Sequence, residues 1–357
     1  MNGSSDEAMD GYSVRVPASE QLLMNVVPNL SAPRALCTTI GRAQFAKTLA
    51  EVHGDSQVEC HFLDLYQAEE SRDYLDMTGS PVNIVCSPDL PEEEIDLFAL
   101  PTTRGGEAEL TRELLQQGYM RLREGGTLLA SVDNRKDTWL HHEIEKLTRS
   151  ITRLPKKRGV LYRAIKKKPL KRERDFYAEF AFRDGENLIK AVSRPGVFSH
   201  RRLDLGARAL IEGMSVQAGD RVLDIGCGAG VVGLAAAMRE EGITVHAVDS
   251  NIRAVECVLL GAELNGLEGI TAQADAEGEA APPGTFDVVL GNPPYFSQYR
   301  IAEIFLQGAL RALRPGGRVQ MVTKHPDWFL ARMGQLFDDV VTEEHRSYQI
   351  VSAIQRG

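Results

Sequence analysis

The chain has 357 residues, enough for two domains of ordinary size, and its 43% hydrophobic and 25% charged content is that of a globular protein. Its polar, acidic start and the lack of any apolar run near the ~20 residues of a bilayer span predict neither a signal peptide nor a membrane helix, and hence a cytoplasmic location. The five cysteines are scattered without Cys-x-x-Cys spacing, and none of the eight histidines forms a ligand pair, which argues against a disulfide frame and against a metal site.

The first recognisable element is Arg34-Ala-Leu-Cys-Thr-Thr-Ile-Gly41, an apolar strand running into a turn. Further on, Ile95-Asp-Leu-Phe-Ala-Leu100 reads as a second strand and Leu122-Arg-Glu-Gly-Gly-Thr-Leu128 as a turn leading into a third. All three recur later in the chain. Arg34–Gly41 aligns with Arg221-Val-Leu-Asp-Ile-Gly-Cys-Gly228 at an offset of 187 residues. Ile95–Leu100 and Leu122–Leu128 align with Phe286–Gly291 and Leu313–Val319 at an offset of 191. Two copies of one fold explain a shared register across several segments better than chance does.

Next comes a basic block. Residues 1–152 carry a net charge of −12, residues 153–174 carry +10, and residues 175–357 carry −7. The cations Lys156, Lys157, Arg158, Lys166, Lys167, Lys168, Lys171 and Arg172 follow or flank Gly159–Ile165, which matches the last strand of the second copy. Such a block is either a solvated linker or a polyanion site.

The second copy alternates strands at Arg221–Ile225, Thr244–Val248, Phe286–Leu290 and Gly317–Val322 with helical patterns at Val232–Glu241, Ile252–Leu264 and Ile301–Leu313. This order predicts an α/β fold, in each copy a doubly wound, mostly parallel sheet of Rossmann-like type, with ligands beyond the carboxyl ends of the strands. After the first of these strands comes Asp224-Ile-Gly226-Cys227-Gly228-Ala-Gly230. The glycines permit a tight turn and a close ligand. The third glycine comes one residue too early for a dinucleotide fingerprint, and an acid at Asp224 repels pyrophosphate but suits a cationic amino group. Asp249, with Ser250 beside it, ends the next strand where an acid accepts from ribose hydroxyls. Asp275, followed by Ala276, ends a third strand and suits an adenine amino group. In order, these residues describe a ribosylated adenine bearing an amino acid and no phosphate, S-adenosylmethionine. Taken singly, each acid reads equally well as a helix cap.

Asn292-Pro293-Pro294-Tyr295 ends the Phe286–Gly291 strand. Two prolines stiffen the turn. The Asn292 amide oxygen and the Pro293 carbonyl then present acceptors beside the Tyr295 ring, an arrangement suited to a planar group with an exocyclic amino group. The first copy has Cys37 for Asp224 and Leu100-Pro101-Thr102-Thr103 for the Asn-Pro-Pro-Tyr turn, so it is expected to bind no cofactor.

With these motifs the chain resembles the class I methyltransferases that act on amino groups. Pro195-Gly-Val-Phe198-Ser199-His-Arg-Arg-Leu203-Asp204-Leu-Gly206 is similar to the lead-in segment of bacterial ribosomal RNA guanine-N2 methyltransferases, which have two tandem methyltransferase-like domains with only the second active. The resemblance implies a degenerate first domain over 1–170, a linker and lead-in over 171–194, and a catalytic domain over 195–357. It also implies that Phe198 and Ser199 lie near the cofactor, that the basic block meets RNA, and that the partner is ribosomal RNA or a ribosomal subunit. Nothing in it demands a metal or an oligomer. Adenine or protein glutamine as acceptor, and a non-catalytic RNA-binding or assembly protein, stay open as alternatives.

Overall fold

The computed structural model describes residues 15–30, 32–294 and 299–357. It divides into two compact units, Met1–Phe62 with Gln67–Arg174, and Leu63–Tyr66 with Asp175–Gly357.

In the first unit, helix α1 (Ala18–Met24) precedes β1 (Arg34–Thr38), α2 (Gln44–Val52), β2 (Gln57–Phe62), α3 (Leu65–Met77), β3 (Asn83–Cys86) and β4 (Ile95–Thr102). Helix α4 (Ala108–Arg121), β5 (Leu122–Val132), α5 (Trp139–Leu147), β6 (Ile151–Lys156) and β7 (Gly159–Ile165) follow. The strands form one sheet in the order β3-β2-β1-β4-β5-β7-β6, parallel from β1 to β5 and antiparallel at the β5/β7/β6 edge. Its central strands are buried along almost their whole length, which is why β1 and β4 read as continuous apolar runs with no alternation.

The second unit opens with an antiparallel hairpin, β8 (Ala178–Asp184) and β9 (Asn187–Ser193), in the stretch read from sequence as linker and lead-in. Then come α6 (Leu205–Gly213), β10 (Arg221–Ile225), α7 (Val231–Arg239), β11 (Thr244–Asp249), α8 (Ile252–Asn265) and β12 (Ile270–Ala274). Strand β13 (Phe286–Gly291), α9 (Arg300–Ala312), β14 (Leu313–Thr323), α10 (Pro326–Leu336), β15 (Asp338–His345) and β16 (Tyr348–Ile354) complete it. The sheet order is β12-β11-β10-β13-β14-β16-β15, strand for strand the order of the first unit. Registers match as well: Cys37 pairs with Ala99, and Asp224 pairs with Leu290. The two offsets read from the sequence are therefore structural equivalences.

Helix α9 shows why the pattern folds this way. Ala302, Phe305, Leu306, Ala309 and Ala312 recur at helical spacing, are buried, and close one face of the sheet with Val289, Val319 and Met321. On the other face, α6, α7 and α8 pack Leu210, Leu234, Ala235 and Val258 against Val222, Val245 and Val288. The order of strands reverses between β10 and β13, and their carboxyl ends form the crevice where such sheets take ligands.

The basic block does not behave as one patch. Lys156, Lys157 and Arg158 are exposed on the β6/β7 turn. Val160 of β7 pairs with Val132 at the end of β5, so this turn lies at the carboxyl edge of the parallel strands. Lys167, Lys168, Lys171 and Arg172 are exposed beyond the far end of β7, roughly 20 Å away for seven extended residues. Lys166 departs from the expected RNA-binding role. It is 8% exposed, and its Nζ donates to the Met120 carbonyl at 2.9 Å and to the Leu122 carbonyl at the end of α4. There it neutralises carbonyls a helix end leaves unpaired, and burial lowers its pKa.

Candidate active site

Strand β10 delivers Asp224 into the sheet, and the chain then turns through Gly226, Gly228 and Gly230, all at positive φ. A Cβ at Gly226 would lie 2.2 Å from the Phe305 ring, so this position tolerates only glycine, on grounds of space as well as conformation. The Gly226 and Cys227 N–H groups donate to the Val248 carbonyl at 2.8 and 3.0 Å, fixing the loop against β11. Asp224 is 2% exposed, and its Oδ2 accepts from Gly233 N–H at 2.9 Å in the first turn of α7. Burial raises its carboxyl to about 7, the Gly233 bond opposing and the charge of Asp249 adding to the shift.

Asp249 ends β11 and accepts from Gly228 N–H and Asn251 N–H, both at 2.8 Å. Burial raises its carboxyl too, against those two bonds. Ser250 donates its hydroxyl to Asp64 at 2.7 Å, a contact within the second unit. The Asp275 N–H donates to the Asp249 carbonyl at 2.9 Å, placing the ends of β11 and β12 side by side. The Asp275 carboxylate caps the following turn: Oδ1 accepts from Glu277, Gly278 and Glu279 N–H, and Oδ2 from Ala280 N–H at 3.0 Å. Oδ2 alone keeps lone-pair capacity for a ligand. Ala276, half-buried, lies within that turn.

The segment at 195–206 lies against this loop. Asn251 Nδ2 donates to the Gly196 carbonyl at 2.7 Å, and the fully buried Arg253 donates to the Pro195 carbonyl at 2.6 Å. Phe198 is 63% exposed, and its Cβ and carbonyl are 3.8 Å from a Cβ built at Gly228. Ser199 follows at φ 61°. Asn251 and Arg253 had no reading from sequence. Their signal was position alone, since they open the helix directly after Asp249.

Beside β10, β13 ends at Gly291 paired with Ile225, so Asn292 begins where the glycine loop begins. Its Nδ2 donates to Asp204 Oδ2 at 3.0 Å. Pro293 is buried and Pro294 half-buried; Tyr295 lies outside the described residues. The structure thus gathers Asp224, the glycine loop, Asp249, Asp275, the 195–206 segment and Asn292 at one sheet edge.

In the first unit the equivalent loop is filled from within. Glu20 of α1, fully buried, accepts from Ile40 and Gly41 N–H at 3.0 Å each, from Phe45 N–H at 3.2 Å, and from the Thr39 hydroxyl. A carboxylate of this chain thereby occupies the N–H groups at the start of α2. Burial and the Glu20 charge push up the Cys37 thiol, which stands where Asp224 does. Sequence reasoning missed Glu20, because no local pattern links α1 to this loop.

Fold and site define the class: a tandem class I methyltransferase fold whose second unit carries the cofactor-type loop and acids. Residues 188–352 match the model of the Methyltransferase small domain family. Among curated proteins the chain is similar to ribosomal RNA small subunit methyltransferase C of Chromohalobacter salexigens, with 34% identity over 46% of this chain and 50% of the relative. The protein of the same name from Hahella chejuensis is 31% identical over 46% of this chain and 50% of its own length. The chain thus spans about half the length of the curated relatives it matches. Over the whole fold it is similar to a 16S rRNA N2 methyltransferase of T. thermophilus solved with AdoMet and guanosine, at TM-score 0.74 and 21% identity, covering 94% of this chain and 92% of that one. At 21% identity the structural likeness shows the shared two-domain fold.

Proposed function

We propose that the second unit transfers a methyl group from S-adenosylmethionine to the exocyclic amino group of a guanine in ribosomal RNA. One observation carries this reading: Asn292, whose amide nitrogen is held by Asp204, starts at the same level of the sheet as the glycine loop after Asp224. The donor set fits the cofactor. Asp224 is a buried acid with no cationic partner among the described residues, placed for an amino group reached directly or through water. Asp249 and Asp275 follow it on the next two strands, as ribose and adenine require.

When bound, S-adenosylmethionine supplies an electrophilic sulfonium methyl. The protein's task is to aim the weakly nucleophilic aromatic amine at it. Asn292 Oδ1 and the Pro293 carbonyl accept the two amino protons, which favours a pyramidal nitrogen with its lone pair directed at the methyl. The methylated cationic amine then loses a proton readily, so no strong base is needed. A guanine inside a duplex is out of reach, so the target is exposed, single-stranded or flipped out. The relatives' names support ribosomal RNA over protein glutamine as target. The deciding test is nucleoside digestion of ribosomal RNA treated with labelled cofactor: label in N2-methylguanosine supports the proposal, and label only in protein overturns it.

The acid at the heart of the site makes the reaction pH-dependent. A cationic amino group binds the ionised form of Asp224, whose carboxyl is raised to about 7 by burial. Cofactor affinity should therefore weaken as pH falls below about 7, approaching roughly tenfold per pH unit, with proton release on binding. Calorimetry in buffers of different ionisation enthalpy measures both, and Asp224→Asn should flatten the profile.

For the first unit we infer RNA contact without cofactor. Its loop is held by Glu20, and its exposed cations are Lys156–Arg158 at the carboxyl edge and Lys167–Arg172 at the other. Replacing Lys156, Lys157 and Arg158 by Ala should lower the slope of log K against log salt by about 2 for single-stranded RNA, at roughly 0.7 per lost contact. An unchanged slope would remove this turn from the interface.

A further inference from the structure

We infer that Asp204 is the positioning residue that fixes which way the Asn292 amide faces, with Gly206 providing the space. The inference rests on the amino-acceptor reading of Asn292.

A primary amide has a donor end and an acceptor end of nearly equal shape, and a half-turn about its last bond exchanges them. In the flipped state Asn292 would present its NH2 to an incoming amino group, donor against donor, and the acceptor geometry would be lost. Asp204 prevents the flip. Its Oδ2 takes three donors: Gly206 N–H at 2.8 Å, Ala207 N–H at 3.1 Å and Asn292 Nδ2 at 3.0 Å. An oxygen already receiving two backbone protons offers only lone pairs, so Asn292 must turn its NH2 toward it and its oxygen away. The backbone donors in the first turn of α6 hold the carboxylate in place while it holds the amide.

Gly206 completes the arrangement. A Cβ there would stand 2.8 Å from Asn292 Oδ1, 2.9 Å from Asp204 Oδ2 and 3.3 Å from Asn292 Nδ2. Those atoms are side-chain ends, so an added methyl would displace the amide with little disturbance to the backbone. The spacing Asp204-x-Gly206 thus serves the amide 88 residues away as well as the start of α6.

Separating capping from positioning takes matched variants. Asp204→Ser keeps a capping oxygen but is too short to reach Asn292. Gly206→Ala keeps the cap, suits a helix and crowds the amide. Both should retain the melting temperature and cofactor affinity within about twofold of wild type, while turnover at saturating substrate falls about 10–100-fold, the scale of a misplaced reacting group. Asp204→Asn, which still offers an acceptor oxygen, should keep most of the turnover. Wild-type turnover in Asp204→Ser and Gly206→Ala, with Asn292→Ala inactive, would overturn the positioning role alone. Wild-type turnover in Asn292→Ala would overturn the acceptor reading and this inference with it.

Discussion

Asn292→Ala is expected to lower methyl transfer by about two to three orders of magnitude while cofactor affinity stays within a few-fold. The size follows from what is removed: a preorganised acceptor aimed at charge that develops on the attacking nitrogen, comparable to deleting one donor of an oxyanion hole. The substitution leaves Asp224, the glycine loop and Asp249 untouched, so the binding of the methyl donor has no reason to fail. It also frees Asp204 Oδ2 from one of three donors, a minor loss because both capping bonds remain. Single-turnover kinetics at saturating cofactor, with calorimetric binding beside them, separate the two effects. Unchanged turnover would sink the amino-acceptor role. A matching collapse of cofactor binding would instead show that Asn292 holds the cofactor.

Glu20→Ala should destabilise the first unit by about 1–3 kcal/mol, the cost of one unsatisfied buried donor. The change strands the buried Phe45 N–H, whereas Ile40 is exposed and the Gly41 N–H keeps the Thr39 hydroxyl at 2.9 Å. Glu20→Gln, which keeps one acceptor oxygen, should lose about half as much. Hydrogen exchange read by mass spectrometry localises the effect: amides from 39 to 45 should lose protection first, with the second unit's core unaffected. Retained protection of those amides in Glu20→Ala would show that the carboxylate does not hold the loop.

These two residues mark the limits of what the chain discloses on its own. Asn292 was legible because its turn is local, an amide and two prolines directly after an apolar strand. Glu20 was not, because its partners are 19 to 25 residues away and lack any shared pattern. Lys166 belongs with Glu20. In sequence it is one cation among eleven in residues 153–174, and in the fold it caps α4 through the carbonyls of Met120 and Leu122. The basic block looked continuous because sequence distance hides a strand. β7 carries its two halves to opposite edges of the sheet, one at the carboxyl edge and one away from it.

Asp275 shows the same limit at finer scale. That an acid follows the third strand is plain from the pattern. How many of its lone pairs remain for a ligand is decided by four backbone N–H groups in the turn that follows.

The sequence by itself determined the duplication, the doubly wound sheets, the glycine turn and the order of acids after their strands. Each is encoded within a few residues, through apolar periodicity or through a backbone angle that only glycine adopts easily. The tertiary structure alone decided which distant groups satisfy one another: Asp204 on Asn292, Glu20 in the first unit's loop, Arg253 on the 195–206 segment, Lys166 on α4. The reason is that a buried donor or acceptor must find a partner, and packing brings those partners together from anywhere along the chain.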